Sequence, residues 1–463
     1  MRKRSLLTLL SLLCLTAHAL QPDAVARLGL PVLTVTTING EEPACDYVFP
    51  PEGAHGISIA NATKVPGRCV LTLQDDTLFD SGPYEKDRSG MTLKIRGNTS
   101  AYYSLKKPYK LKLEKKNDLL TRGDSCYYDK NWVLLDEAGT SLNTLIGFML
   151  NRLVGMPWTP AYEYVNLIVN GDYRGIYMLC EQVRRNADCR LYVDKHTGYI
   201  LERDAYWWNE PLYFRTNTLD KEYTFKYPDQ DDVTPAQLQF ISTYMEQVEQ
   251  SVASGTYLQY IDLPSWAAWL LAHDILGTSD SGGSNIYLAL DNDSTARIAM
   301  TTLWDFGSIM RTPDQWARIH YDTWFYYPQL LDSRNRAFTE AYIALWNEKG
   351  KEIIDSLARQ INDFAQSDVA AAIEASQPFE EQRWYYNPAT VAENAQKASE
   401  WLSARSLWLD AQVMQLQQSL SVAHRGLSAP TSSGICYDLL GRRLPRPRGL
   451  HIKAGARRIA PAP

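Results

Sequence analysis

The sequence predicts an α+β fold with a β-rich front, a helix-rich back and a small β tail. Three observations carry this. Apolar and polar residues alternate in short runs between about 30 and 135. Apolar stripes fall at helical spacing from about 335 to 420. A Ser/Pro/Gly-bearing stretch at 421–433 then separates a basic tail, 434–463. Packing a β-rich part of about 30–205 against a helix-rich part of about 206–420 naturally gives two lobes with a cleft between them.

The chain opens Met1-Arg2-Lys3-Arg4, runs apolar from Ser5 to Thr16 and continues Ala17-His18-Ala19. A basic region, a short apolar stretch and an A-x-A site read as a signal peptide over 1–19. The apolar run falls below the roughly 20 residues that span a bilayer. The expectation is therefore export to the periplasm, the cell surface or the medium, with no transmembrane segment. Seven cysteines include Cys14, which leaves with the signal, and the remaining six permit several disulfide pairings. No Cys/His spacing suggests zinc.

Strands come next. Leu30–Val35, Thr92–Arg96, Tyr109–Leu113 and Trp132–Leu135 are β-branched or alternating runs. In the third, Lys110 and Lys112 share one face, and Leu111 and Leu113 the other. Ser141–Leu153 carries apolar residues at helical spacing and stops before Pro157. Tyr164–Val169 and Tyr173–Leu179 flank Asn170-Gly171, a strong hairpin signal. Gly198–Glu202 is a further strand, and Pro235–Ala253 and Trp266–Leu276 are helices. Asn285–Leu290 and Ala296–Leu303 form a hairpin-like pair around Asp291-Asn292-Asp293-Ser294.

Formal charge is −6 for 463 residues. Both termini are basic, so the body between them is more acidic still. That argues against sequence-independent nucleic-acid binding, which needs a basic footprint.

Two stretches suggest chemistry: Ser279-Asp280-Ser281-Gly282-Gly283-Ser284-Asn285 and Trp304-Asp305-Phe306-Gly307. Phosphoryl transfer needs one carboxylate beside the incoming hydroxyl and another on the metal that neutralises the phosphates. Protein kinases use an Asp, an Asn five residues later and an Asp-Phe-Gly shortly after. Asp280 and Asn285 have that spacing, and Asp305 follows after a hairpin-sized gap. The plainer alternative is a Gly/Ser loop followed by an Asp in a turn.

Several further blocks occur in order: Arg96-Gly97-Asn98-Thr99-Ser100, Lys106–Leu113, Trp132–Leu135, Val169–Tyr177, Glu181-Gln182-Val183 and Gly198–Asp204. Together with the two acidic stretches they make the chain resemble the CotH kinase family over roughly 30–410. That resemblance implies a divergent two-lobed protein-kinase-like fold. It implies an atypical kinase using ATP and Mg²⁺ or Mn²⁺, with protein Ser/Thr hydroxyls as acceptors. By the same resemblance Asp280 is the catalytic acid, and Asn285 and Asp305 bind the metal. Lys107, Lys110 and Arg96, in that order, are candidates to face the phosphates. Glu181 is a candidate partner for such a lysine, and Glu202 a candidate to lie against the nucleotide. The chain departs from the family pattern at Asn143-Thr144 and at Thr278-Ser279. A glycine-rich phosphate loop is not evident, and Arg96–Ser100 is the nearest substitute. The tail, from Ile435 through Ile452, resembles C-terminal segments of exported Bacteroidetes proteins, some of which engage secretion machinery. Two alternatives stand beside the kinase: a non-catalytic surface or adhesion protein on the same fold, and a carbohydrate-active enzyme using Asp280 and Asp305.

Overall fold

The computed structural model describes residues 22–137, 139–294, 296–321, 325–332, 335–384 and 388–427, and in the tail 436–437, 443–444, 450–453 and 456–459. The expected signal peptide lies outside the described residues. The chain divides into two compact units, one up to Val413 and one from Met414. Among the described residues no helix is long and apolar enough to cross a membrane.

The first unit starts with a short helix α1 (Pro22–Val25) and an eight-stranded sheet. Its strands are β1 (Val32–Thr37), β4 (Val65–Leu73), β5 (Asp76–Asp80), β6 (Met91–Ile95), β7 (Tyr109–Asn117), β8 (Asp129–Leu135), β9 (Tyr162–Val169) and β10 (Asp172–Glu181). They lie in the order β1-β9-β10-β8-β7-β6-β4-β5. β1 also pairs with β4, so the sheet closes on itself. A small hairpin of β2 (Asp46–Val48) and β3 (Ser58–Ala60) and the single-turn helix α2 (Thr99–Tyr103) accompany it. Alternation along the strands sends Leu33, Val35, Leu93, Leu111, Trp132 and Leu167 into one apolar cluster. The β9–β10 turn follows the sequence expectation. Asn170 and Gly171 both take positive φ, as a tight right-twisted hairpin requires, and the Asn170 side chain accepts the Thr37 amide at 2.9 Å.

A second sheet has the order β12-β13-β11-β14-β15, from β11 (Tyr199–Arg203), β12 (Tyr213–Arg215), β13 (Glu222–Tyr227), β14 (Ile286–Leu290) and β15 (Ala299–Met300). β15 is shorter than the expected Ala296–Leu303 run, because residues beyond Met300 leave the ladder to form the loop containing Asp305.

Helices supply the rest: α3 (Asn143–Leu153), α4 (Pro235–Ser254), α5 (Leu263–Leu276), α6 (Tyr327–Leu330), α7 (Arg336–Leu345), α8 (Lys351–Ala365), α9 (Asp368–Trp384) and α10 (Val391–Leu427). α4 begins with a capping box between Thr234 and Gln237, has Pro235 in its first turn and ends at left-handed Gly255. α5 starts under Asp262 and ends at left-handed Gly277. The linker expected from residue 421 starts later, since α10 continues through 421–427. That stretch contains no proline, and a lone Gly426 weakens a helix without ending it.

α9 is tied to the first sheet by buried polar contacts. Glu380 accepts from the Lys106 ammonium at 2.7 Å and from the Ile176 amide at 2.7 Å. Asn166 donates to Ser376 at 3.1 Å. Lys106 also donates to the carbonyls of Glu137 and Ile176, which completes its hydrogen bonding. In the tail, β16 (Cys436–Tyr437), β17 (Arg443–Leu444), β18 (Leu450–Lys453) and β19 (Ala456–Ile459) form a sheet of order β17-β16-β18-β19.

Candidate active site

A cleft of about 900 Å³ is bounded by β6, β7, β11, β13, the start of α2 and the two acidic stretches singled out above. The loop bearing Asp280 follows α5. It is held from below by Ser279, whose amide and hydroxyl both reach the Ser308 carbonyl, at 3.0 and 3.2 Å. Beneath the loop, the buried Asp274 carboxylate accepts from Tyr342 at 2.8 Å and from the Ala317 amide at 3.1 Å, and lies 2.6 Å from His320. Arg405 of α10 reaches the Asp274 carbonyl at 2.6 Å. From the β11 side, Asp204 accepts from Ser284 at 3.3 Å.

Asp280, Asn285 and Asp305 all line this cleft. Asn285 donates to the Asp305 carboxylate at 3.2 Å. Asn285 has φ 60° and Asp305 has φ 66°. A non-glycine residue in this region is uncommon, Asn and Asp being the side chains that tolerate it best, and such conformations concentrate at functional sites. Asp305 opens on the cleft, yet desolvation between the walls raises its carboxyl above the ordinary range. The Gly307 amide opposes that rise; the negative charges of Asp280 and Asp136 add to it, and Arg96 counters them.

Asp305 is positioned from behind by α3. Phe306 packs edge-on against Phe148 with ring centres 5.7 Å apart. Asn151, fully buried on the same helix, accepts the Leu303 amide at 2.8 Å. Gly147 is required by this approach, since a Cβ there would lie 2.2 Å from the Phe306 ring.

The opposite wall is basic. Lys94 on β6 stands directly across from Lys110 on β7. Like charges directly opposite in a ladder are destabilising. Burial lowers the Lys110 pKa to about 7, helped by Lys94, Arg184, Lys226 and Lys112. Burial lowers Lys94 too, and Lys64 and Arg96 add to that. Arg96 lies on the same wall and leads into Gly97-Asn98-Thr99-Ser100, which also lines the cleft. That loop is clasped by neighbours: Asn98 accepts from Ser58 at 2.9 Å, and Thr99 meets the Tyr206 hydroxyl.

Glu202 lies at the cleft wall, buried, with Lys226 at 2.5 Å. Burial pushes the Glu202 carboxyl up to about 7 against the pull of Lys226. Burial also opposes the Lys226 charge, but Glu202, Asp204 and Glu210 outweigh it and hold that ammonium above its usual value. Gln182 contributes a buried Oε1 that has no hydrogen-bond donor among the described residues.

Two expected members lie elsewhere. Lys107 is outside the cleft: it precedes β7, and its ammonium is turned to the Ala101 carbonyl, to which it donates at 2.7 Å. Glu181 is buried at the end of β10 and pairs with Arg122 at 3.0 Å rather than with a strand lysine. Arg190 stands 4.0 Å away on its other side. Sequence reasoning missed Lys94, Lys226, Asp136 and Asp204. Lys94 had a signal, since Thr92–Arg96 alternates with the same parity as Tyr109–Leu113. The others depend on contacts between distant segments.

Among the described residues no group of three His, Cys, Asp or Glu side chains is gathered closely enough to hold a metal alone. A site made of one carboxylate and one amide beside phosphates is a different donor set, and it suits Mg²⁺, which keeps waters and takes substrate oxygens. The residues present therefore fit such an ion.

A family model described as CotH kinase protein matches residues 93–409. No curated protein matches the chain. Two solved structures are weakly similar. A chain in the Shewanella oneidensis toxin–antitoxin complex of HipA, HipB and operator DNA aligns at 13% identity and TM-score 0.26 over 64% of this chain and 61% of that one. This chain thus spans under two thirds of that protein's length. The Helicobacter pylori proinflammatory kinase CtkA aligns at 9% identity and TM-score 0.24 over 62% of this chain and 92% of that one.

Proposed function

Since the chain belongs to the CotH kinase family, we propose that the cleft binds ATP and transfers its terminal phosphoryl group to Ser or Thr hydroxyls of a protein. The observation that carries this is the meeting of Asp280, Asn285 and Asp305 with Lys94, Lys110 and Arg96 across one cleft. Two opposed lysines are unfavourable without an anion between or beside them, and a triphosphate supplies one. Arg96 and the lysines bind and orient the phosphates. Asp280, exposed at the cleft, orients the acceptor hydroxyl. The hydroxyl oxygen forms a bond to the terminal phosphorus, the bond to the bridging oxygen breaks, ADP departs with that electron pair, and Asp280 takes the proton. Asp305 and Asn285 would hold Mg²⁺ or Mn²⁺, whose charge neutralises the phosphates.

The test is a melting measurement with ATP, with and without metal, beside a phosphotransfer assay. Asp305→Asn is expected to remove the metal-dependent rise in melting temperature. Asp280→Asn is expected to keep that rise and lose transfer by ~10²-fold or more. Unimpaired transfer in both folded variants would overturn the assignment. We further propose that 1–19 directs export and that the tail assists sorting. Secretion of the intact chain, lost on removing 1–19 and altered on removing 434–463, tests both.

A further inference from the structure

Asp280 and Asp305 belong to different segments. One follows the end of α5, and the other lies in the stretch that runs from β15 to α6. Backbone bonds join the two directly. The Ser279 amide reaches the Ser308 carbonyl at 3.0 Å, the Met310 amide reaches Leu276 at 2.8 Å, and the Arg318 amide reaches Thr278 at 3.0 Å. Between Met310 and Arg318 the second segment is gripped by a residue from far along the chain.

That residue is Arg405 of α10, which is fully buried. Its Nε donates to the Asp274 carbonyl at 2.6 Å, and its Nη1 donates to the carbonyls of Pro313, at 2.8 Å, and Gln315. The first acceptor lies in the last turn of α5, where carbonyls lack helical partners and a cation is favoured. The other two lie in the segment after Asp305. A guanidinium can reach all three because its N–H donors spread in a fixed plane, whereas an ammonium is a single point.

Two rings hold this fork. Trp401 and Trp408 flank Arg405 about one turn away on α10, with ring centres 5.5 and 4.6 Å from the guanidinium carbon. The same rings touch the same two segments. Trp401 lies against Gly277, the left-handed residue that ends α5, so closely that a Cβ there would be 2.8 Å from the ring. Trp408 meets Trp316 edge-on, with ring centres 5.0 Å apart. Arg405 Nη2 has no partner among the described residues. A buried cation with an unpaired donor is a poor source of stability, and an apolar side chain often serves a fold as well. What an apolar side chain cannot supply is the three-point grip.

We propose that Arg405 is a positioning residue for phosphoryl transfer. It fixes the loop bearing Asp280 against the segment bearing Asp305, so that acceptor hydroxyl and metal are presented to the same phosphate. The proposal rests on the proposed reading of the large cleft, although Arg405 itself lies outside that cleft. Lys94, Lys110 and Arg96 are on or beside strands of the first sheet, so a loosened grip on α5 should slow the chemical step and spare ATP binding.

The test follows ADP release by the full chain with ATP, Mg²⁺ and dephosphorylated casein, which counts transfer to protein and to water alike. Arg405→Met is expected to lower kcat roughly 100-fold, the scale of a misplacement of about 1 Å, with KM for ATP little changed. Arg405→Lys is expected to recover part of that loss. Ile373→Ala, a truncation in the core of α9, is expected to cost stability and leave kcat alone, which separates positioning from general loosening. An unchanged kcat in Arg405→Met, kcat and ATP affinity falling together, or an equal kcat loss in Ile373→Ala would overturn the proposal. Absence of ADP release from the unaltered chain would instead overturn the reading of the cleft, and this inference with it. Should Arg405→Met fail to fold, Trp408→Leu keeps the guanidinium and removes one ring beside it. It is expected to lower kcat roughly 10-fold with the same sparing of KM, and an unchanged kcat there overturns the proposal.

Discussion

On the proposed reading of the cleft, function and stability oppose each other at Lys110. Its folded pKa of about 7 lies below the ordinary lysine value. Between those two values the unfolded chain holds the extra proton, so stability should rise with pH across that window. Urea unfolding at pH values spanning it should show the slope, and Lys110→Met should abolish it. The same substitution removes a buried charge, so it should add ~0.5–2 kcal/mol of stability while weakening ATP binding. Asp305 gives the opposite limb. Its raised carboxyl must lose a proton before it holds a cation, so metal-dependent nucleotide stabilisation should fade at higher pH than for an ordinary aspartate. That Asp280, Asn285 and Asp305 come together in one cleft was legible from spacing. Choosing Lys110 over Lys107 needed the register with Lys94, which no single strand reveals.

At the element scale α3 is the part that aims Asp305. Replacing Gly147 by Ala would favour the helix by about 1 kcal/mol on propensity. It would also drive a methyl into the Phe306 ring. Overpacking of ~1–3 kcal/mol should prevail. Gly147→Ala is therefore expected to lower the melting temperature and to reduce transfer more than a distant substitution of equal stability cost. The helix itself, the Asn170-Gly171 hairpin and α4 were all readable from local pattern and capping. The closure of β1 onto β4 was not, because Pro66 and Gly67 are residues that argue against a strand and the pairing joins distant residues. The same reason hid the docking of α9, where Glu380 and Ser376 reach distant strand residues beside the apolar contact of Phe379. Glu380→Ala should lower stability by ~3–5 kcal/mol, as expected when one partner of a buried ion pair is lost, read from chemical unfolding.

Across the whole molecule, ligand binding to the folded state alone must appear as added stability. At one hundred times its dissociation constant, ATP with metal should contribute ~2.7 kcal/mol, visible as a higher midpoint in thermal unfolding. The α+β division and the order of strand-rich and helix-rich regions could be anticipated from periodicity; which distant segments face one cleft could not. The bond between Lys106 and Glu380 has a further effect in time. Its partners lie 274 positions apart. While the chain is being made, the first sheet emerges long before α9. Until residue 380 is free, the Lys106 ammonium has no carboxylate to receive it, and burying it uncompensated is unfavourable. The docking of α9 on the first sheet is therefore a late step, and the ion pair that completes it joins the front of the chain to its back.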